Sequence, residues 1–290
     1  MNKQVEQLLN KVFKDNWVNY SSLFGGMMNR SYLINTKDDK QYILYIPGND
    51  SMKVDRELEK FTQDQLARLG ITSKNIYFDI NAGIKINEFI SGSSLDKINE
   101  FNYLKVSMLL HKLHESRLTA KRKYDPFNRF INEYEKECKN YIKDFDKDYL
   151  SLKEFLFTHR DYLENQKVTL CHNDFQRSNI IKSSNDSYYM IDFEFAMDND
   201  PIYDISAFGN NNVLEGRQLL TYYFLGKENV DQIKRFYLWR IYLSLQWYIV
   251  ALNKHYKGEG EIHQINFLDV AKHFLDNAKQ AKEYFDKESK

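Results

Sequence analysis

The spacing of apolar side chains divides this chain into a mixed N-terminal part and a mostly helical remainder. Near the N-terminus, apolar residues recur at helical intervals, at Val5, Leu8, Leu9, Val12 and Phe13. After them come short runs rich in branched and aromatic residues, which predict strands. We expect strands at 17–24, 31–35, 41–46, 75–80 and 84–90, and a helix at 53–69.

Beyond residue 90 the pattern is helical, apart from one hairpin. The polar residues at 91–94 indicate a linker. Amphipathic stretches then predict helices at 99–116, 127–143, 149–165, 214–224, 230–254 and 267–286. Apolar segments within 168–193, separated by a Ser-Ser-Asn-Asp turn, predict the hairpin. A β-rich segment before a helical one is typical of an α+β protein, here with an N-lobe at 1–90 and a C-lobe at 91–290.

The clearest chemical signal lies in that hairpin. His172, Asn173 and Asp174 stand together, Asn179 follows five residues after Asp174, and Asp192 ends the return strand. Phosphoryl transfer from a nucleotide needs a carboxylate to receive the acceptor's proton, and an Asn and an Asp to hold Mg²⁺. We therefore interpret Asp174 as the base or as the residue that positions the acceptor, and Asn179 and Asp192 as the metal ligands. The alternative is that Asp174 and Asn179 only stabilise a turn, where both residue types are common.

The run at 172–180 resembles the catalytic loop of the choline/ethanolamine kinases, a branch of the kinase-like small-molecule phosphotransferases. The stretch from Asp200 to Asp204 resembles the motif that follows it in this family. The resemblance implies a bilobal, protein-kinase-like fold with a small β-rich N-lobe and a larger, mainly helical C-lobe. It also implies ATP and Mg²⁺ as cofactors. In this family pattern Asp204 would form hydrogen bonds to the catalytic loop, and His172 would stabilise the loop through hydrogen bonds within it.

Two further segments resemble the nucleotide-binding elements of the family. One is the turn between the first two predicted strands, with Gly25, Gly26, Asn29 and Arg30. Adjacent glycines let backbone N–H groups approach a phosphate closely. The other is the end of strand 84–90, where backbone groups of Asn87 to Ile90, Glu88 and Ile90 among them, would meet the adenine at the interlobe hinge. An ordinary turn and an ordinary strand pair are the alternatives.

The chain departs from the family pattern at Tyr45, where a Lys or Arg is expected. That cation normally contacts the nucleotide phosphates and pairs with a Glu on the next helix. Here the candidate is Glu59, with Glu57 as the second choice. A tyrosine hydroxyl brings no positive charge, and neutral hydrogen bonds are weaker than charge-assisted ones. Arg30 and Lys53 are candidate substitutes. Three options follow: a slow enzyme, an enzyme with relocated charge, or a binding protein that kept the fold.

The resemblance also implies an acceptor pocket with aromatic faces around a quaternary ammonium group. Phe195 matches one cage position. Trp247 matches one of two tryptophans that family members carry three residues apart, and Ser244 stands at the other position. Glu194 would assist a second Mg²⁺ or organise the pocket. Since the chain has 21 Tyr and 20 Phe, an aromatic residue near any site is expected, so core packing is the alternative for Trp247.

Composition restricts the remaining classes. With 41 basic and 41 acidic residues the formal net charge is zero, which argues against a nucleic-acid partner because such a partner requires a clustered positive surface. No apolar run is long enough to span a bilayer, and the N-terminus lacks a secretory pattern. Two cysteines, Cys138 and Cys171, do not form a disulfide framework. We expect a cytoplasmic protein; the pattern leaves its oligomeric state open.

The sequence thus supports three hypotheses. The first is an ATP-dependent kinase that transfers the γ-phosphoryl group to the hydroxyl of choline or a similar amino alcohol. The second keeps the chemistry and changes the acceptor to ethanolamine, thiamine or an aminoglycoside. The third is a catalytically silent nucleotide- or ligand-binding module, motivated by Tyr45.

Overall fold

The computed structural model describes residues 3–23, 29–48, 54–260 and 264–289. Its contacts divide the chain into two compact units. The first comprises the chain up to residue 98 together with 180–195, and the second comprises 99–179 with the chain from 196 onward.

The first unit is built on a five-stranded antiparallel sheet of order β1-β2-β3-β5-β4. Its elements in chain order are α1 (Lys3–Phe13), β1 (Trp17–Leu23), β2 (Asn29–Thr36), β3 (Gln41–Pro47), α2 (Arg56–Arg68), β4 (Asn75–Asp79) and β5 (Ile84–Glu88). The helices and strands predicted for this part of the chain are confirmed, with small shifts at their ends.

One face of this sheet forms the core of the first unit. Val5 and Leu9 from the apolar stripe of α1 pack with Ile34, Leu44 and Ile86 from the three central strands. Successive strand residues point to opposite faces, so the neighbours of Leu44 and Ile86 lie on the other face of the sheet. That second face carries the charged residues described below.

The predicted linker at 91–94 is wrong, because Gly92–Ser94 forms a strand, β6. It pairs with β8 (Ile180–Ser183), which in turn pairs with β9 (Tyr188–Met190) in the predicted hairpin. A Cβ atom at Gly92 would lie 2.2 Å from the Lys182 carbonyl oxygen, so glycine serves here for close strand contact rather than for flexibility. These bonds attach 180–195 to the first unit, which therefore extends past residue 90.

The second unit is mainly helical. Its helices are α3 (Tyr103–His114), α4 (Pro126–Arg129), α5 (Lys136–Cys138), α6 (Lys147–Phe157), α7 (Arg160–Glu164), α8 (Pro201–Phe208), α9 (Val213–Tyr223), α10 (Val230–Tyr256) and α11 (Phe267–Glu288). A π-helical segment, Phe130–Glu135, joins α4 to α5. Strands β7 (Thr169–Cys171) and β10 (Met197–Asn199) pair antiparallel within it.

Most predicted helices of this unit are confirmed, but two differ. The helix predicted at 127–143 ends at Cys138. The helix predicted at 149–165 is split into α6 and α7. At the break, Thr158 Oγ1 donates to the Phe155 carbonyl oxygen at 2.7 Å, a side-chain bond that competes with continued helix formation.

Helix α8 is absent from the sequence-based prediction. Asp200 caps it by accepting a hydrogen bond from Ile202 N at 3.0 Å, and Pro201 occupies the first turn. An Asp-Pro pair is a helix-start signal as well as a turn signal. The Asp-Pro pair alone does not distinguish a helix start from a turn, and α8 is too short to show a clear helical pattern of apolar residues.

Helix α10 forms the centre of the second unit. It begins with a capping box in which Asn229 and Gln232 satisfy each other's backbone N–H groups. Trp239 and Tyr242 of this helix pack against Phe127. None of the helices in the described ranges, α10 included, combines the length and apolar composition that crossing a bilayer takes.

Candidate active site

A buried carboxylate anchors the loop between β7 and β8. Asp204 on α8 accepts hydrogen bonds from His172 N through Oδ2 and from Asn173 N through Oδ1, both at 2.8 Å. His114 Nε2 lies 3.1 Å from the same Oδ2. Asn173 has a φ of 62°, in the left-handed region that requires support from its surroundings. Asp204 therefore fixes the backbone immediately before Asp174.

Side chains of the same loop hold the Asp174 carboxylate. Asn179 Nδ2 donates to Asp174 Oδ2 at 2.8 Å and to the Asp174 carbonyl oxygen at 2.9 Å. Gln176 Nε2 donates to Oδ2 at 3.3 Å. The buried His172 accepts a hydrogen bond from Asp174 N through Nδ1 at 3.3 Å. A carboxylate held in this way is positioned as a proton acceptor has to be.

The first unit holds a cluster of charged residues on the sheet face away from its core. Lys85 Nζ lies 2.6 Å from Glu59 Oε1 and 3.5 Å from Asp192 Oδ1. Arg56 Nη1 lies 2.6 Å from Glu59 Oε2 and 3.5 Å from Glu194 Oε2. Only 4% of Lys85 and 1% of Glu59 is exposed to solvent. The cluster thus brings together three predicted site residues, Glu59, Asp192 and Glu194, with two cations.

Burial and mutual charge shift the ionisation of this cluster. Burial, followed by the negative charge of Asp192, raises the pKa of Glu194 to about 7. Burial acts to lower the pKa of Lys85, but the carboxylates of Asp192 and Glu59 outweigh it and raise this pKa above its ordinary value. Lys85 therefore stays a cation inside the first unit. Burial also raises the pKa of Tyr45 to about 12, so its hydroxyl remains neutral.

The site residues predicted from the sequence do not include Lys85. It stands directly opposite Tyr45 in the β3–β5 register, and its Nζ lies 5.2 Å from the centre of the Tyr45 ring. The available signal was a lysine between Ile84 and Ile86 in a predicted strand. Because side chains alternate between the two faces of a strand, such a lysine lies on the face opposite the one that carries Ile84 and Ile86. The pairing of β3 with β5 comes from the fold and is not visible in the pattern.

The predicted glycine-rich turn is only partly described. Gly25 and Gly26 lie outside the described residues, as does Lys53, and Asn29 is described only as the first backbone position of β2. Arg30 is exposed and pairs with Ile46, one residue out of phase with the Ser31–Tyr45 pair. By strand alternation Arg30 thus lies on the sheet face opposite to Tyr45.

The predicted hinge begins as part of the sheet. Glu88 N donates to the Lys74 carbonyl oxygen at 2.9 Å, and Phe89 N donates to the Gln41 carbonyl oxygen at 3.0 Å. Ile90 follows outside the strand. Because the N–H groups of Glu88 and Phe89 are used within the sheet, a hinge donor for a purine has to come from beyond Phe89.

The predicted acceptor residues differ in their surroundings. Trp247 is half-buried and stacks on Phe274 of α11, with ring centroids 5.8 Å apart and an interplanar angle of 18°. Ser244 is fully buried and accepts a hydrogen bond from Arg240 Nη2 at 2.9 Å. Phe195 is half-buried and belongs to the first unit. A polar pair therefore fills the position where the family pattern has a second tryptophan.

Comparison with known proteins gives consistent matches over most of the chain. The choline/ethanolamine kinase family model matches residues 20–275. A curated relative, the protein LicA of Haemophilus influenzae, is 28% identical over 251 residues, which cover 83% of this chain and 66% of the relative. The chain thus spans about two thirds of that relative's length.

Solved structures agree in fold. The choline kinase LicA from Streptococcus pneumoniae matches with a TM-score of 0.72 and 24% identity, over 98% of both chains. A structure of LicA in complex with AMP matches with a TM-score of 0.69 and 24% identity, over 99% of both chains. These likenesses confirm the predicted protein-kinase-like α+β fold, with a small β-rich unit and a larger, mainly helical one.

Proposed function

The chain belongs to the choline/ethanolamine kinase family of phosphotransferases with alcohol acceptors, and on that premise we propose that it transfers the γ-phosphoryl group of ATP to choline. The observation that carries this proposal is the loop at Asp174, whose carboxylate is held by Asn179 and whose preceding backbone is held by Asp204. The similar structures include a choline kinase and an AMP complex, which supports choline as acceptor and an adenine nucleotide as donor.

In the proposed reaction, Asp174 accepts the proton of the acceptor hydroxyl as its oxygen attacks the γ-phosphorus in line with the leaving ADP. Asn179 and Gln176 keep the carboxylate in one orientation throughout. Positioned general bases typically contribute about 10²- to 10⁴-fold in rate. The task of this loop is accordingly to position the carboxylate, and the phosphoryl group itself needs little covalent help.

The donor atoms of Asn179 and Asp192 suit a hard cation. Since Asn179 Nδ2 donates to Asp174, its Oδ1 is the atom left for coordination. Asp192 follows β9 and adds a carboxylate whose side chain is 32% exposed. Asn179 and Asp192 would hold Mg²⁺, which supplies positive charge to the nucleotide phosphates when bound.

The charged cluster of the first unit favours an active kinase over a silent binding module. Tyr45 motivated the silent alternative, because it removes the expected cation. Lys85 nevertheless brings a buried positive charge to Glu59, and Asp192 lies beside it. A binding module has no need for Asp174, Asn179 and Asp192 together with that ion pair.

Among acceptors, choline is favoured by the aromatic residues, and ethanolamine is the second candidate. Trp247 and Phe195 offer ring faces of the kind that binds quaternary ammonium groups. Ser244 stands in place of a second tryptophan, so less aromatic surface is present for a quaternary ammonium group. This observation makes ethanolamine the second candidate. An aminoglycoside would need an acidic surface, but Glu259 is neutralised by Lys254 at 2.6 Å.

The test is phosphorus NMR of the protein with Mg-ATP and, in parallel, choline, ethanolamine, thiamine and kanamycin. The Asp174→Asn protein serves as the blank. We expect a phosphocholine signal that is absent from the blank. A larger signal from another acceptor would transfer the assignment to that acceptor. If no acceptor reacts and calorimetry detects no Mg-ATP binding, the kinase proposal is wrong.

A further inference from the structure

The proposed kinase activity leaves one requirement unexplained, since β3 carries no cation for the nucleotide phosphates. We propose that Lys85, on the neighbouring strand β5, binds these phosphates in place of the missing β3 residue, with Glu59 as its partner. The inference rests on the proposed function and adds a specific phosphate-binding residue to it.

Strand register is the first support. Tyr45 and Lys85 are directly opposite each other, so their side chains leave the same face of the sheet about 5 Å apart at Cβ. The long lysine side chain crosses this gap and brings Nζ to 5.2 Å from the Tyr45 ring centre. A cation on β5 thus reaches the neighbourhood that a lysine at position 45 would occupy.

The partners of Lys85 are the second support. A kinase lysine that binds phosphate is held by a glutamate on the following helix. Glu59, on α2, lies 2.6 Å from Lys85 Nζ in this way. An ammonium group has three donors. Lys85 uses one for Glu59, while its contact to Asp192 is at the hydrogen-bond limit of 3.5 Å, which leaves capacity for phosphate oxygens.

A purely structural ion pair is the competing explanation. Arg56 already neutralises Glu59 through its other oxygen at 2.6 Å, so Glu59 has a buried partner without Lys85. The only other basic residue in the five strands of the sheet, Arg30, lies on the opposite face. Arg56 and Lys85 together face three carboxylates, Glu59, Asp192 and Glu194, so charge balance fits both explanations. What favours phosphate binding is that Lys85 is the one basic side chain of the five strands on this face, directly opposite Tyr45.

The test compares calorimetric affinities for Mg-ATP and for adenosine, which lacks phosphate. The variants are Lys85→Met and, as a matched control, Lys40→Met, which removes an exposed lysine from the same unit. For Lys85→Met we expect Mg-ATP to bind about 10- to 100-fold more weakly, because a charge-assisted hydrogen bond is lost, while adenosine affinity stays unchanged. Lys40→Met leaves both affinities at the wild-type level.

The transplant Tyr45→Lys/Lys85→Met returns the cation to β3 and also serves if Lys85→Met alone does not fold. We expect it to recover Mg-ATP affinity relative to Lys85→Met or, without that reference, to bind Mg-ATP within tenfold of wild type. Melting temperatures are recorded for all variants. A folded Lys85→Met protein with wild-type Mg-ATP affinity and only a lower melting temperature would overturn the proposal.

Binding by the wild type separates the two proposals. If the wild type binds Mg-ATP but phosphorylates no acceptor, the affinity comparison still decides the role of Lys85. If the wild type binds no nucleotide, both proposals are overturned. If it binds and Lys85→Met binds equally well, only the Lys85 proposal is overturned.

Discussion

Asp204 holds the backbone of the proposed catalytic loop from helix α8. Its two oxygens accept the N–H groups of His172 and Asn173, and both oxygens are fully buried. It contacts the loop backbone and does not hold the Asp174 carboxylate itself. We therefore propose Asp204 as a positioning residue, whose loss should affect turnover more than nucleotide affinity.

Replacing Asp204 with Asn tests this role. An amide nitrogen cannot accept either N–H group, so one buried donor loses its partner at a cost of about 1–3 kcal/mol in the free energy of unfolding. We expect that loss in urea denaturation, with a lower kcat and a nearly unchanged KM for Mg-ATP. Asp144→Asn, at an exposed position, is the control. Equal stability and equal kcat in both variants would remove Asp204 from the positioning role.

The two cysteines are a second case in which burial decides chemistry at a single residue. Burial raises the pKa of the Cys138 thiol to about 12 and that of Cys171 well above its ordinary value. Because the thiolate is the reactive form, neither should react with Ellman's reagent at pH 8 in the native protein. Unfolding in guanidinium should release both. Prompt native reaction of either thiol would contradict its burial.

Helices and strands with a strong period of apolar residues were predictable from the sequence. Elements that form only through contact with a distant part of the chain were not. The stripe of α1 and the alternation of β5 gave the correct element types. Strand β6 has the composition of a linker, and its strand state comes from pairing with β8, distant in sequence. Helix α8 begins at an Asp-Pro pair that also starts turns. Tertiary pairing decides such segments, and the local pattern does not contain it.

The pairing of β6 with β8 makes a prediction about Gly92. A methyl group there would lie 2.2 Å from the Lys182 carbonyl oxygen and 2.7 Å from Ser183 Cα, so the strands have to separate. We expect Gly92→Ala to lower the free energy of unfolding by about 1–3 kcal/mol, the usual cost of overpacking. Ser93→Ala, in the same exposed strand, should be nearly neutral. Wild-type stability of Gly92→Ala in thermal unfolding would show that the strands tolerate a side chain here.

For the molecule as a whole, the family pattern located most candidate residues, and the fold explains the one it missed. Asp174, Asn179 and Asp192 stand in a recognisable order along the chain. Lys85 has no motif of its own. Its place beside Glu59 depends on the order β3-β5-β4 in the sheet, so only the folded chain identifies it.

The central claim is that this protein is a kinase whose transfer step depends on Asp174. Its most direct test is the rate of phosphocholine formation at saturating Mg-ATP in the wild type and in Asp174→Asn, with Mg-ATP affinity measured on the same samples. We predict a rate about 10²- to 10⁴-fold lower in the variant, as expected for loss of a general base, with nucleotide affinity nearly unchanged. Equal rates in the two proteins, or a wild type that binds Mg-ATP and phosphorylates neither choline nor ethanolamine, thiamine or kanamycin, would contradict the account.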